Sequence, residues 1–275
     1  MSSLEISAVS LSPYVNVWLA NSLRPRILHV FDRVCNLVNE RRDVLSIVAR
    51  QIGDGPFNLV VENDILFSEY CHIESPISIH DHQLILGDLL INRVNAKLWP
   101  PRPDWALLRT HIVNILDQVT SLSVTNYEPS LPAYLRSNLT TSIIAADTLP
   151  CLAAIKKLAG LGNGLTPAGD DFILGSLYAA WIIHPPETSR VLAEEIANTA
   201  TPLTTSLSSA WLRSAGRGEA GVLWHDFFDA LVSADARRSQ EGITRIAAVG
   251  ETSGADALAG FISTLVSYQE YTTTS

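Results

Sequence analysis

Cysteine is scarce: three in 275 residues (Cys35, Cys71, Cys151), with no CxxC pair. An odd, unspaced set argues against a disulfide framework and against a cysteine zinc site, so three buried thiols are the expectation. Long apolar runs are absent too. Every run is broken by Asp, Arg, Asn or Pro well short of the roughly 20 residues a membrane helix needs. The first residues, MSSLEISAVSLSPYVNVWLANSLRPR, lack the basic stretch and apolar block of a signal peptide, and a cytoplasmic protein is expected. Basic charge is in deficit: net charge is −9, with 19 Lys+Arg against 28 Asp+Glu. Each side of residue 129 carries 14 acids, against 10 bases before it and 9 after. Without a basic footprint, nucleic acid is not an expected partner. HExxH, G-x-S-x-G and the Lys-Ser/Thr of a Walker loop do not occur.

What the chain does have is apolar material: 47% hydrophobic residues and a mean hydropathy of +0.18. That excludes a disordered chain and supplies a sizeable core. Two textures follow each other. Residues 22 to 98 read as short strands: ILHVFDRVCNLV (27–38), VLSIVA (44–49), FNLVVE (57–62) and QLILGDLLIN (83–92). Asp54-Gly55 reads as a hairpin dipeptide, and Gly87-Asp88 as a second turn. WPPRPDW (99–105) marks a boundary, because its prolines fit neither a helix interior nor a central strand. Beyond it the spacing predicts helices over 104–121, 130–147, 149–159, 170–184, 187–200, 203–215, 221–235, 239–248 and 254–268, with QEYTTTS frayed. The expected fold is α+β: a small barrel-like β-rich domain at 20–98, then a larger all-helical domain at 103–268.

Chemistry concentrates in the second domain. LAGLGNGLTPAGDDFILG (158–175) carries Gly160, Gly162 and Gly164, then Thr166, Gly169 and the pair Asp170-Asp171. Glycines let a backbone approach a ligand, and a helix N-terminus favours anions. Thr166 offers a hydroxyl donor. Asp170 and Asp171 are the candidate catalytic residues. One is expected to cap the helix starting near residue 170, and the other to face a cleft toward a substrate amine, a magnesium ion or a basic group. The plain alternative is a helix C-cap, a tight turn and an ordinary cap. VGETSGADALAG (249–260) repeats the theme: Thr252, Ser253 and Gly254 start a helix with Asp256 in its first turn. Thr205, Ser209 and Arg213 fall at i, i+4, i+8 on one helix stripe, a second candidate oxyanion surface beside its alternative, a solvated face. Gly162, Gly164, Thr166, Thr205, Arg213, Thr252, Ser253, Gly254 and Asp256 are thus the candidate binding residues. Thr166, Asp170, Asp171, Thr252, Ser253, Asp256 and Arg213 are expected to line one pocket. His80 and His82 lack a third ligand and read as a solvated edge.

GLGNGLTPAGDD, TTSLSSAWLRSA (204–215) and VGETSGADALAGF (249–261), in this order, resemble the AllH-like family. The N-terminal half is similar to that family only in texture. The resemblance implies a subunit of an oxamate carbamoyltransferase in allantoin nitrogen metabolism. Its reaction converts carbamoyl phosphate and oxamate to oxalurate and phosphate. It also implies companion subunits of AllF and AllG type, and no redox cofactor. Residue 169 lies where members of that family differ, so no role is expected of it. Two alternatives stand beside this: a non-catalytic small-anion-binding assembly subunit, and a magnesium-dependent phosphate-transfer or hydrolytic enzyme using Asp170 and Asp171.

Overall fold

Short runs of aliphatic and β-branched residues cannot bury both faces alone, and here they curl around one core. The computed structural model describes residues 4–121 and 131–274. Among these, nine strands form a nearly closed, barrel-like sheet: β1 (Leu4–Leu11), β2 (Arg26–Val30), β3 (Val34–Val38), β4 (Val44–Ala49), β5 (Asn58–Val61), β6 (Ile77–Ile79), β7 (Gln83–Leu86), β8 (Leu89–Asn92) and β9 (Lys97–Leu98). Their order is β2-β3-β4-β5-β1-β8-β7-β6, with β9 also paired to β1. Helix α1 (Pro13–Asn21) buries Val15, Trp18 and Leu19 in the same core as Ile6, Leu37, Ile47 and Leu59. The Trp18 indole N–H donates to the Asp43 carbonyl at 2.9 Å, which satisfies the buried ring's polar edge.

Three strand readings need correcting. The run 27–38 is two strands, because Phe31–Arg33 turns and β2 pairs antiparallel with β3. Asp54-Gly55 makes no hairpin, since β4 and β5 run parallel. Parallel neighbours need a crossover, and the dipeptide sits inside it, where the Ser10 hydroxyl donates to Asp54 at 2.6 Å. β1 and α1 both begin before residue 20, and β1 pairs parallel with β8 and antiparallel with β5. Gly87-Asp88 does join β7 to β8 as an antiparallel pair.

The chain divides between Pro101 and Arg102. Beyond the division lie α2 (Trp105–Thr110), α3 (Ile112–Ser121), α4 (Ala133–Ile144), α5 (Thr148–Leu158), α6 (Ala168–Ile183), α7 (Pro186–Ala200), α8 (Ser206–Gly216), α9 (Val222–Val232), α10 (Ala236–Ala247) and α11 (Ser253–Thr274). The expected helix 104–121 is interrupted at His111, and residue 130, expected to start the next, lies outside the described residues. The tail is not frayed as expected: α11 runs to Thr274, with Thr272, Thr273 and Thr274 hydroxyls bonded to carbonyls three or four residues back.

Helix α6 is buried over its whole length. A helix apolar on every side belongs at a centre, and the only charges of α6 are Asp170 and Asp171 in its first turn. Helix α11 lies against it at backbone distance. A Cβ added at Gly175 would meet the Ala257 carbonyl oxygen at 1.7 Å, and one at Gly260 the Phe172 oxygen at 2.1 Å. Around this pair Trp105, Tyr178, Trp224, Phe228 and Phe261 form an aromatic cluster. Trp105 and Trp181 indoles donate to the Gly218 and Ala215 carbonyls.

Candidate functional site

The glycine loop forms because α5 must end and α6 must start within nine residues. Leu158 closes α5, and Pro167 stands at the N-cap of α6 with φ −57°. Between them Gly162 and Gly164 take φ of +121° and +93°, a region that L-residues with a Cβ rarely visit. Gly162 has a second reason: a Cβ there would lie 2.8 Å from the Ala168 nitrogen. Gly169, of which no role was expected, is equally constrained. Its Cβ would sit 2.0 Å from the Leu158 carbonyl oxygen.

Neither aspartate caps α6. The helix starts at Ala168, and the Pro167 carbonyl takes the N–H groups of Asp170 and Asp171 at 2.9 and 3.1 Å. Proline's fixed φ suits a helix start, so the start falls two residues earlier than expected. Asp170 is free to tie three segments together. One carboxylate oxygen accepts from the Gly160 N–H at 2.9 Å. The other accepts from the Ser208 hydroxyl at 2.8 Å and from the Thr204 hydroxyl. Burial raises its pKa, against the Thr204, Gly160 and Ser208 hydrogen bonds that lower it.

Asp170 is therefore a structural tie. Asp170→Ala strands three donors and is expected to cost about 3 kcal/mol, because recovering the burial cost of the carboxylate offsets part of the loss. Thermal melts should show a Tm lowered by roughly 6–12 °C. An unchanged Tm would mean that the tie carries no stability.

Asp171 is different. It is 7% exposed, and its Oδ2 has no hydrogen-bond partner. Thr166 and Ser253, 87 residues apart, bond through their hydroxyls at 2.7 Å beside it. Burial pushes the Asp171 carboxyl up to about 8; the Ser253 and Thr166 hydroxyls oppose this, and the charges of Asp256 and Asp170 add to it. Asp256 is fully buried in the first turn of α11. Thus Thr166, Asp170, Asp171, Ser253 and Asp256 meet where the N-termini of α6 and α11 converge.

The other candidates are placed differently. Thr205 caps α8, accepting from the Ser208 N–H at 3.1 Å and donating to the Leu165 carbonyl at 2.6 Å, which pins the glycine loop. Ser209 donates to the Thr201 carbonyl at 2.8 Å, so both hydroxyls of the stripe are spent on backbone carbonyls outside α8. Arg213 is half-buried, about 12 Å along the axis from Thr205 at 1.5 Å rise per residue. Thr252 is exposed and gives its carbonyl to the Asp256 N–H at 2.8 Å. The Gly254 N–H is used within the turn, donating to the Val249 carbonyl at 3.0 Å. Thr204 and Ser208 were missed, although both lie in TTSLSSAWLRSA. The i, i+4 spacing assumed a helix from 203, whereas α8 starts at Ser206 and leaves Thr204 extended.

Among the described residues no group of three or more His, Cys, Asp or Glu side chains is arranged to hold a metal ion. Both oxygens of Asp170 already accept hydrogen bonds, one from the Gly160 N–H and the other from the Ser208 and Thr204 hydroxyls. His80 and His82 flank the β6–β7 turn, where the His80 N–H donates to the Gln83 carbonyl. No described helix is long and apolar enough to cross a membrane.

Two family models match this chain. One, the AllH family N-terminal domain, matches residues 7–98. The other, oxamate carbamoyltransferase subunit AllH, matches residues 158–265 and so spans the glycine loop, α8 and the start of α11. No solved structure matches the chain. The matched segments cover both the barrel-like sheet and the helices that carry the site, and the chain belongs to the AllH family.

Proposed function

We propose that this chain is a subunit of an oxamate carbamoyltransferase and that Asp171 is its general base. The observation that carries the reading is the buried, unpartnered Oδ2 of Asp171 at the meeting point of two helix N-termini. Oxamate reacts through its amide nitrogen, which is a weak nucleophile until it loses a proton. In the proposed step that nitrogen attacks the carbamoyl carbon. The carbon–oxygen bond to phosphate breaks, the phosphate leaves with the bonding pair, and the nitrogen's proton passes to Asp171. A base with a pKa near 8 is suited to this at neutral pH, being both basic and partly ionised. The Thr166 and Ser253 hydroxyls, bonded to each other at 2.7 Å, lower its pKa against the effect of burial. The N-terminal turns of α6 and α11 present positive dipole ends, which favour the phosphate and carboxylate groups of the two substrates. Companion subunits of AllF and AllG type complete the site in this reading.

The test is oxalurate formation by the chain assembled with such companions. Asp171→Asn is expected to lower kcat by about 100-fold or more, the range for loss of a positioned base. Its Tm should not fall. Oxamate and carbamoyl phosphate should raise the parent's Tm by mass action. A variant with the parent's rate overturns the assignment.

A further inference from the structure

The two cysteines of the barrel-like unit lie far apart in sequence but close in space. Cys35 is in β3, completely buried and held on both sides by β2 and β4. Cys71 follows the 3-10 turn Phe67–Glu69 and is 4% exposed, next to the exposed His72. Their sulfurs are 3.9 Å apart. That is van der Waals contact with no atom between, in a chain whose three cysteines are all free. The third, Cys151, is a built-in control, buried in the helical unit and pushed up to about 12 by burial and by Asp147.

We propose that Cys35 and Cys71 form a reversible disulfide when the protein meets a hydroperoxide. The geometry asks little of the fold. Closing 3.9 Å to the roughly 2.05 Å of an S–S bond needs about 2 Å of movement. Cys35 is fixed in the sheet, whereas Cys71 belongs to a connecting segment outside the strands. That segment is already docked: the Phe67 N–H donates to the Asp32 carbonyl at 3.0 Å, and the Ser68 hydroxyl to the Asp32 side chain at 2.9 Å.

The roles of the two sulfurs differ. Cys71 is the outer one, 4% exposed and outside the strands, so its sulfur meets the oxidant first; the contact with Cys35 lowers its pKa and burial opposes this. Burial and the same contact raise that of Cys35. The Cys71 thiolate attacks a peroxide oxygen, the O–O bond breaks, and an alcohol or water leaves, giving a sulfenic acid. The Cys35 sulfur then attacks the Cys71 sulfur, the S–O bond breaks, and water leaves with the Cys35 proton. Two thiols and one hydroperoxide give one disulfide, one alcohol (water when the oxidant is hydrogen peroxide) and one water. The product ties the segment after β5 to β3 and closes a loop across 36 positions, which restricts the unfolded chain.

The experiment treats the full chain with hydrogen peroxide at pH 7 and at pH 8.5, then counts thiols after denaturation. The expected result is a fall from three thiols to one, a mass lower by about 2 Da, and a peptide map joining Cys35 to Cys71. Reductant should restore all three thiols. The oxidised chain should melt several degrees higher, as expected for a cross-link of this span. Cys151→Ser should lose its two thiols in the same way. Cys35→Ser should instead give a Cys71 sulfenic acid that a dione probe captures. Three thiols persisting in folded protein at both pH values would overturn the proposal. So would a disulfide between chains, or one involving Cys151.

Discussion

Gly175→Ala is expected to abolish folding of the helical unit, or to cost more than about 3 kcal/mol if the protein is recovered, the upper end for overpacking. The reason is where the new methyl would go. It would stand 1.7 Å from the Ala257 carbonyl oxygen and 2.8 Å from the Phe261 nitrogen, both backbone atoms of α11. A side chain can rotate away; a helix backbone must move as a body. Moving α11 would open the contact at Gly260 against Phe172 and carry Ser253 away from Thr166. Gly164→Ala is the matched control, since a Cβ there meets nothing within 4 Å and faces only the strain of φ +93°, on the order of 1–2 kcal/mol. Soluble yield, far-ultraviolet circular dichroism and Tm of the two variants make the comparison. A Gly175→Ala protein as stable as Gly164→Ala would show that α6 and α11 are not held at backbone contact.

This contact explains why part of the architecture was legible in the sequence and part was not. Strand and helix textures are local, so the change of texture across WPPRPDW and most helices beyond it could be read from spacing. Pairing is not local. Nothing in LEISAVSL says that β1 runs parallel to β8 more than eighty residues away, and nothing near Asp54-Gly55 says that the next strand returns parallel. The site divides in the same way. Thr166, Asp171, Ser253 and Asp256 drew attention because the glycines, hydroxyls and acids at two apolar helix starts exceed what a turn and a cap require. The split of roles within Asp170-Asp171 was not legible. It depends on Thr204 and Ser208 reaching one carboxylate across the loop, and on Pro167 starting α6 two residues early. Gly169 shows the same limit, since its constraint comes from the Leu158 carbonyl, part of the preceding helix.

Asp171 should also make the protein less stable as pH rises from about 4 to about 8. Its carboxyl moves from the ordinary 3.8 up to about 8 in the folded chain. Between those values the folded chain keeps a proton that the unfolded chain releases. Raising pH therefore favours unfolding through this window, and the effect levels off above about 8. At 1.36 kcal/mol per pH unit the ceiling is about 6 kcal/mol, of which about 4 kcal/mol falls between pH 4.5 and pH 8, a Tm lower by roughly 8–16 °C at the upper pH. Asp170, whose pKa is also raised by burial, adds to the slope with the same sign. Asp171→Asn keeps the shape and removes the charge. It should match the parent near pH 4.5 and exceed it by several degrees at pH 8, with a flatter profile between. Under the general-base proposal, carbamoyl transfer by the chain assembled with its companions should run the other way, its rate rising through the same window as Asp171 ionises. Opposed trends from one carboxylate are what a base kept at the expense of stability produces. If the Asn variant retains the parent's Tm slope between pH 5 and 8, the titrating group is not Asp171, and the general-base assignment loses its electrostatic support.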